Sequence, residues 1–146
     1  MKNRNAFTMI ELVFVIVVLG ILAAIAIPRL GATRDDAHVS KGRSDVAAIR
    51  AGIISERQGR LLTGDTTFIA SLDAAAENTE GVTLFNNNGI LTYGIVSANT
   101  PGHWMKTGAN TYTYQAAGGT ATFTYTRANG TFSCDRASAL CQSLTD

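Results

Sequence analysis

The chain has 146 residues, room for one head carried by a helical anchor but not for two well-filled cores. Charged residues make up only 16%, low for a soluble globular protein, while glycine is frequent at 14 residues. A net charge of +1 excludes a strongly basic nucleic-acid surface, and loss of Lys2 and Arg4 with a leader would tip the balance to slightly negative.

The chain opens on a polar hexapeptide, Met1 to Ala6, that holds Lys2 and Arg4. A 22-residue stretch from Phe7 to Pro28 follows, FTMIELVFVIVVLGILAAIAIP, in which Glu11 is the one charged residue. As a helix it is roughly 33 Å long, enough to cross a bilayer core. A secretory signal has a basic start, an apolar run of about 7–15 residues and a small-residue cleavage site behind it. This run is longer, and no such site follows it. By the positive-inside tendency the Lys2/Arg4 end stays cytoplasmic. A carboxylate inside such a segment is costly unless it has a partner or a task.

The residues Ala6-Phe7-Thr8-Met9-Ile10-Glu11, followed by Leu12-Val13-Phe14-Val15-Ile16, resemble the prepilin signal of type IV pilins and type II secretion pseudopilins. The likeness continues through Gly20, the Ile21-Leu22-Ala23-Ala24 run and Pro28. It implies cleavage between Ala6 and Phe7 on the cytoplasmic side, and methylation of the new Phe7 amine by the same prepilin peptidase. Ala6 stands where these families usually carry glycine, and both are small. The resemblance further implies a filament, homomeric or mixed, whose growth needs an inner-membrane platform and an ATPase, and a subunit stored in the lipid bilayer before assembly.

Glu11 lies one helical turn from Phe7. It can stabilise its own chain's terminal amine, or, as the resemblance implies, the amine of a neighbouring subunit. Either pairing offsets the desolvation of both charges, and the second also selects one axial offset between otherwise slippery apolar helices. Gly20 and Pro28 are the points at which this helix is weakest. Proline lacks an amide proton and clashes with the preceding turn, so Pro28 is expected to kink or interrupt the helix, and Gly20 permits close packing or local unwinding.

Beyond Pro28 the pattern becomes amphipathic. Val39, Val46, Ile49 and Ile53 share one face, whereas Lys41, Arg43, Asp45 and Glu56 mostly lie elsewhere. Arg57 falls near the apolar face, where its stem can cover apolar surface while its charge reaches water. The helix should end around Gln58 to Leu62, before a Thr63-Gly64-Asp65 turn. A connector with a short helix over Phe68 to Glu77, anchored by Phe68, Ile69 and Leu72, is expected next. A turn at Asn86-Asn87-Asn88-Gly89 then leads to a strand from Ile90 to Val96 with Tyr93 as an anchoring aromatic. Thr111 to Ala116, Thr120 to Arg127 and Thr131 to Cys134 read as strands, joined by turns at Gly118-Gly119 and Asn129-Gly130. Tyr112, Tyr114, Phe123 and Tyr125 alternate with threonine, which gives one aromatic and one polar face. Trp104 either caps the sheet or lies on an exposed loop.

Cys134 and Cys141 form a close, even pair. If the head lies outside the cytoplasm, one intrachain disulfide is favoured, with roughly 2.5 kcal/mol from loop closure. They supply too few ligands for a metal. His38 and His103 suggest no metal site, no Ser/His/Asp set is defensible from spacing, and Gly59 and Gly64 lack the Gly-Lys-Ser/Thr ending of a phosphate loop. Some major pseudopilins carry a calcium-binding head loop, but the C-terminal region here offers only Asp135 and Asp146.

The sequence therefore reads as an α+β, pilin-like protein with no enzymatic activity, cofactor or metal. A leader occupies 1–6, a transmembrane and polymerisation helix 7–28, its amphipathic continuation 29–62, and a head with an antiparallel sheet 63–146. The leading expectation is a type IV pilus-like filament subunit. A type II secretion pseudopilin is the closest alternative, and a non-polymerising, membrane-anchored binding module is the third. The precursor is expected in the bacterial inner membrane with its head in the periplasm. The mature protein would then sit in a surface filament or a periplasmic one.

Overall fold

The computed structural model describes residues 7–116 and 119–146, with the side chains at positions 27–33 outside the description. Ala6 and Gly118 are therefore not among the described residues. The chain divides into two units, Met1–Arg34 and Asp35–Asp146.

One helix, α1 (Met9–Leu62), supplies most of the helical residues. The helical backbone continues through Pro28, so the proline does not interrupt the helix, one of the two outcomes expected of its missing amide proton. The helix stops where expected. The amide of Gly64 donates to the Leu61 carbonyl (3.1 Å) and that of Asp65 to the Arg60 carbonyl (3.0 Å), a Schellman pair that requires the left-handed φ of +85° at Gly64. The Arg60 guanidinium bridges Glu56 and, at 2.8 Å, Asp65 across this end.

The second unit is a four-stranded antiparallel sheet laid on the second half of α1. Its strands β3 (Trp104–Gly108), β4 (Thr111–Ala116), β5 (Gly119–Thr126) and β6 (Thr131–Cys134) lie in the order β3-β4-β5-β6. A two-residue ladder joins β1 (Thr83–Leu84) to β2 (Ile95–Val96), and a short helix α2 (Ala139–Thr145) closes the fold. Period-two alternation puts Tyr112, Tyr114, Phe123, Tyr125 and Phe132 on one face of the sheet, all buried. They meet Val46, Ile49 and Ile53 of the helix, with Val39 partly buried at the margin. Trp104 is fully buried within this cluster, 4.9 Å from Tyr114 and 5.2 Å from Phe123 between ring centroids. Its indole N–H donates to Asp45 Oδ2 at 3.0 Å. It belongs to a sheet strand, not to a cap or a loop.

The helix and its cover approach closely because glycines leave room. A Cβ added at Gly52 would lie 2.0 Å from the Ile90 carbonyl oxygen, and one at Gly42 would meet Tyr114 and Leu144. The far end of the helix behaves as expected for a snorkelling cation, with the Arg57 guanidinium stacked 4.0 Å from the centre of the Phe68 ring.

Three expectations fail in the connector. No helix forms over Phe68 to Glu77, although Ile69 and Leu72 are buried anchors. Asp73, itself buried, accepts from the amides of Ala75 (3.1 Å) and Phe85 (3.3 Å), while Asn87 donates to the carbonyls of Ser71 and Leu72. Side-chain and loop partners thus replace the i−4 ladder. The strand proposed for Ile90 to Val96 shrinks to β2, because Ile90 and Leu91 donate back to Asn87 and Phe85 around the Asn-rich turn. Tyr93 in consequence is 89% exposed and anchors nothing.

Candidate functional site

The N-terminal unit is built to be covered by something else. Every described side chain from Phe7 to Ala26 is exposed, and the Met9–Ala26 segment is long and apolar enough to cross a membrane. At 1.5 Å per residue those 18 residues span about 27 Å. The apolar character runs all round the helix, with no polar face to turn toward water.

Thr8 is the residue that the sequence reading passed over. The amide of Glu11 donates to Thr8 Oγ1 at 3.3 Å and to the Thr8 carbonyl at 3.1 Å, while the Thr8 hydroxyl donates to Glu11 Oε2 at 3.5 Å. Thr8 thus caps the first turn through its hydroxyl, and the Thr-x-x-Glu spacing ahead of an apolar run was the legible signal. The carboxylate also lies in the first turn, where the helix dipole favours negative charge. Phe7 and Thr8 precede the helix, so the Phe7 backbone lies beyond its first turn. A Cβ added at Gly20 would meet nothing within 4 Å, which leaves open space beside the backbone there.

At the other end of the chain Cys134 is joined to Cys141, with Cα atoms 5.9 Å apart. The bridge ties the end of β6 to α2. Ser138 caps that helix by accepting from the Cys141 amide, and Leu144 is buried against the core. Arg43 donates twice to the Ser143 carbonyl and Arg50 once to that of Phe132, so two helix arginines clamp the C-terminal elements.

Lys106 holds the fold together from inside the head. It is buried on β3, donates to Asp73 Oδ1 at 2.8 Å and to the Ala75 carbonyl at 2.9 Å, and fixes the connector to the sheet. Asp135 accepts from the Ala137 amide, and Asp146 pairs with Arg136. Among the described residues no group of three or more His, Cys, Asp or Glu is placed to hold a metal ion.

Residues 1–27 match the prokaryotic N-terminal methylation motif. The type II secretion system core protein G of Pseudomonas aeruginosa is 38% identical over 52 residues, 36% of this chain and 37% of that protein. The protein of the same description from Klebsiella michiganensis is 35% identical over 52 residues, with the same coverage. That from Aeromonas hydrophila is 38% identical over 48 residues, 33% of this chain and 34% of its own. The chain thus spans little more than a third of the length of the curated relatives it matches, and no solved structure matches it significantly. The relatives carry secretion-system names, so of the two filament expectations they support the pseudopilin better than the pilus subunit. The chain carries a prepilin-type methylation motif over residues 1–27 and is homologous, over about a third of its length, to type II secretion pseudopilin sequences.

Proposed function

We propose that the chain is a structural subunit of a type II secretion pseudopilin filament, assembled through its N-terminal helix. The observation that carries this reading is a wholly exposed apolar helical segment, interrupted by the single carboxylate of Glu11, within the methylation motif of a chain homologous to core protein G. Prepilin peptidase cuts between Ala6 and Phe7 and methylates the Phe7 amine. The precursor waits in the inner membrane with its head in the periplasm. An inner-membrane platform and its ATPase then draw subunits into a homomeric or mixed filament. Glu11 exchanges its local Thr8 contact for the Phe7 amine of a neighbour, which fixes the axial offset. Gly20 and Pro28 give the helix its freedom to adjust during that transfer.

A surface pilus subunit is the second reading. It is favoured by the Cys134–Cys141 bridge near the C-terminus of the head. Fractionation of native cells separates the two. A pseudopilin stays in the envelope, begins at N-methylated Phe7, and on deletion leaves a folded exoprotein stranded in the periplasm. Recovery in filaments sheared from intact cells, with secretion unimpaired, replaces it with the pilus reading. Glu11→Gln should insert into the membrane normally and fail to enter filaments; unchanged filament yield would refute the role given to Glu11.

A further inference from the structure

The head carries two unpaired charge features that match each other. The first is a groove of about 530 Å³ lined by Arg57, Thr66, Thr67, Phe68, Arg127 and Ala128. Arg57 lies over the Phe68 ring, and neither Arg57 nor Arg127 has a carboxylate partner among the described residues. The second is the turn Glu77-Asn78-Thr79-Glu80, exposed at all four positions and held in a fixed shape. The Asn78 amide donates to the Lys106 carbonyl at 2.7 Å, Glu80 accepts from the Asn99 amide at 2.9 Å, and Asn78 takes a φ of +52°. Neither glutamate has a cationic partner among the described residues.

Topology keeps these features apart within one chain. The acidic turn is tied to β3, and Arg127 directly follows β5 in the connection to β6, toward the opposite edge of the sheet. Three strand spacings put the two edges about 14 Å apart. We propose that the Glu77–Glu80 turn of one copy docks in the Arg57/Arg127 groove of a second copy. Guanidinium pairs donate charge-assisted hydrogen bonds to carboxylates, and the Phe68 floor excludes water from one side. Turn and groove are different surfaces, so the contact is heterologous and leaves each copy with a free turn or groove for the next, as an open filament requires. The inference rests on the filament reading and adds to it a head-to-head contact independent of the N-terminal helix.

The test uses the full chain in membranes of cells that hold the assembly machinery. Glu77→Cys and Arg127→Cys are introduced singly and together, and a short bismaleimide is added. The native cysteines are occupied by their own bridge. The double variant should give a covalent ladder of trimers and longer species, and each single variant at most dimers. A double variant without species above the dimer overturns the docking. In a second arm, Arg127→Glu should lower sedimentable polymer roughly tenfold, and combination with Glu77→Lys and Glu80→Lys should restore it. No loss, or a loss that reversal of the partner does not repair, also overturns it. If the unaltered chain forms no polymer the filament reading fails by itself, and the ladder still decides the docking.

Discussion

Gly20 and Gly52 lie on one helix and have opposite surroundings. At Gly20 an added Cβ would meet nothing, whereas at Gly52 it would strike a backbone carbonyl oxygen at 2.0 Å. The same contrast holds for whole segments. Apolar residues from Phe7 to Ile25 are exposed, while Val46, Ile49 and Ile53 are almost completely buried. In the second half the partner of the apolar stripe is encoded further along the chain. In the first half none is found among the described residues, and in the proposed filament it would come from lipid or from other subunits. Two stretches that are both apolar are thus told apart by where their cover comes from.

The sharpest way to break this comparison is to damage the head's own cover. Lys106→Ala leaves Asp73 buried without its cation and should cost about 3–5 kcal/mol of head stability. Thermal melting of the full chain in detergent, followed by near-ultraviolet circular dichroism, reads that loss, and the N-terminal helical signal should survive it. Gly52→Ala should cost about 1–3 kcal/mol by overpacking, whereas Gly20→Ala should leave the head's melting temperature unchanged. Equal effects at the two glycines would erase the distinction.

A smaller effect is expected from alkali. Burial, and then the nearby Asp45 carboxylate, push the Tyr114 phenol up to about 12, while its hydroxyl donates to the His38 carbonyl at 2.6 Å. Burial and then Asp73 raise Tyr112 as well. A phenol raised in the folded state favours the neutral form. Its contribution is therefore intact below about 10, the unfolded value, and is lost as pH climbs from there toward 12. Tyrosinate absorbance at the buried positions should appear together with loss of near-ultraviolet dichroism, not ahead of it. The smallest change is expected at Gly59, where a Cβ meets nothing within 4 Å. Gly59→Ala should stabilise the helix by about 1 kcal/mol, the reverse of the same change at Gly52.

Much of this was readable from residue spacing. The helix end at Leu62 followed from Thr-Gly-Asp, the buried stripe from its 3.6-residue period, and β4, β5 and β6 from alternating aromatics and threonines between glycine turns. β3 was missed because its first three residues, Trp104, Met105 and Lys106, are all buried. That run shows no alternation, and burial of Lys106 depends on Asp73, 33 residues earlier. The irregular connector hid for the same reason: Asp73 looks like an ordinary polar residue in a helix-compatible stretch until its distant partners are known. α2 was legible in principle from Ser138 as a cap with Cys141 and Leu144 behind it, but seven residues are a short signal. At the N-terminus the apolar run and Glu11 were plain. The Thr8 cap was available in the spacing and went unread.

The clamp between Arg43 and the Ser143 carbonyl joins positions 100 residues apart. A ribosome adding roughly 5–20 residues each second would need about 5–20 seconds between the two. Through that interval Val46, Ile49 and Ile53 exist without the sheet and α2 that will cover them. The nascent head is therefore sticky early and closed late. Any factor that shields it has to act while it is being made, before its final elements arrive.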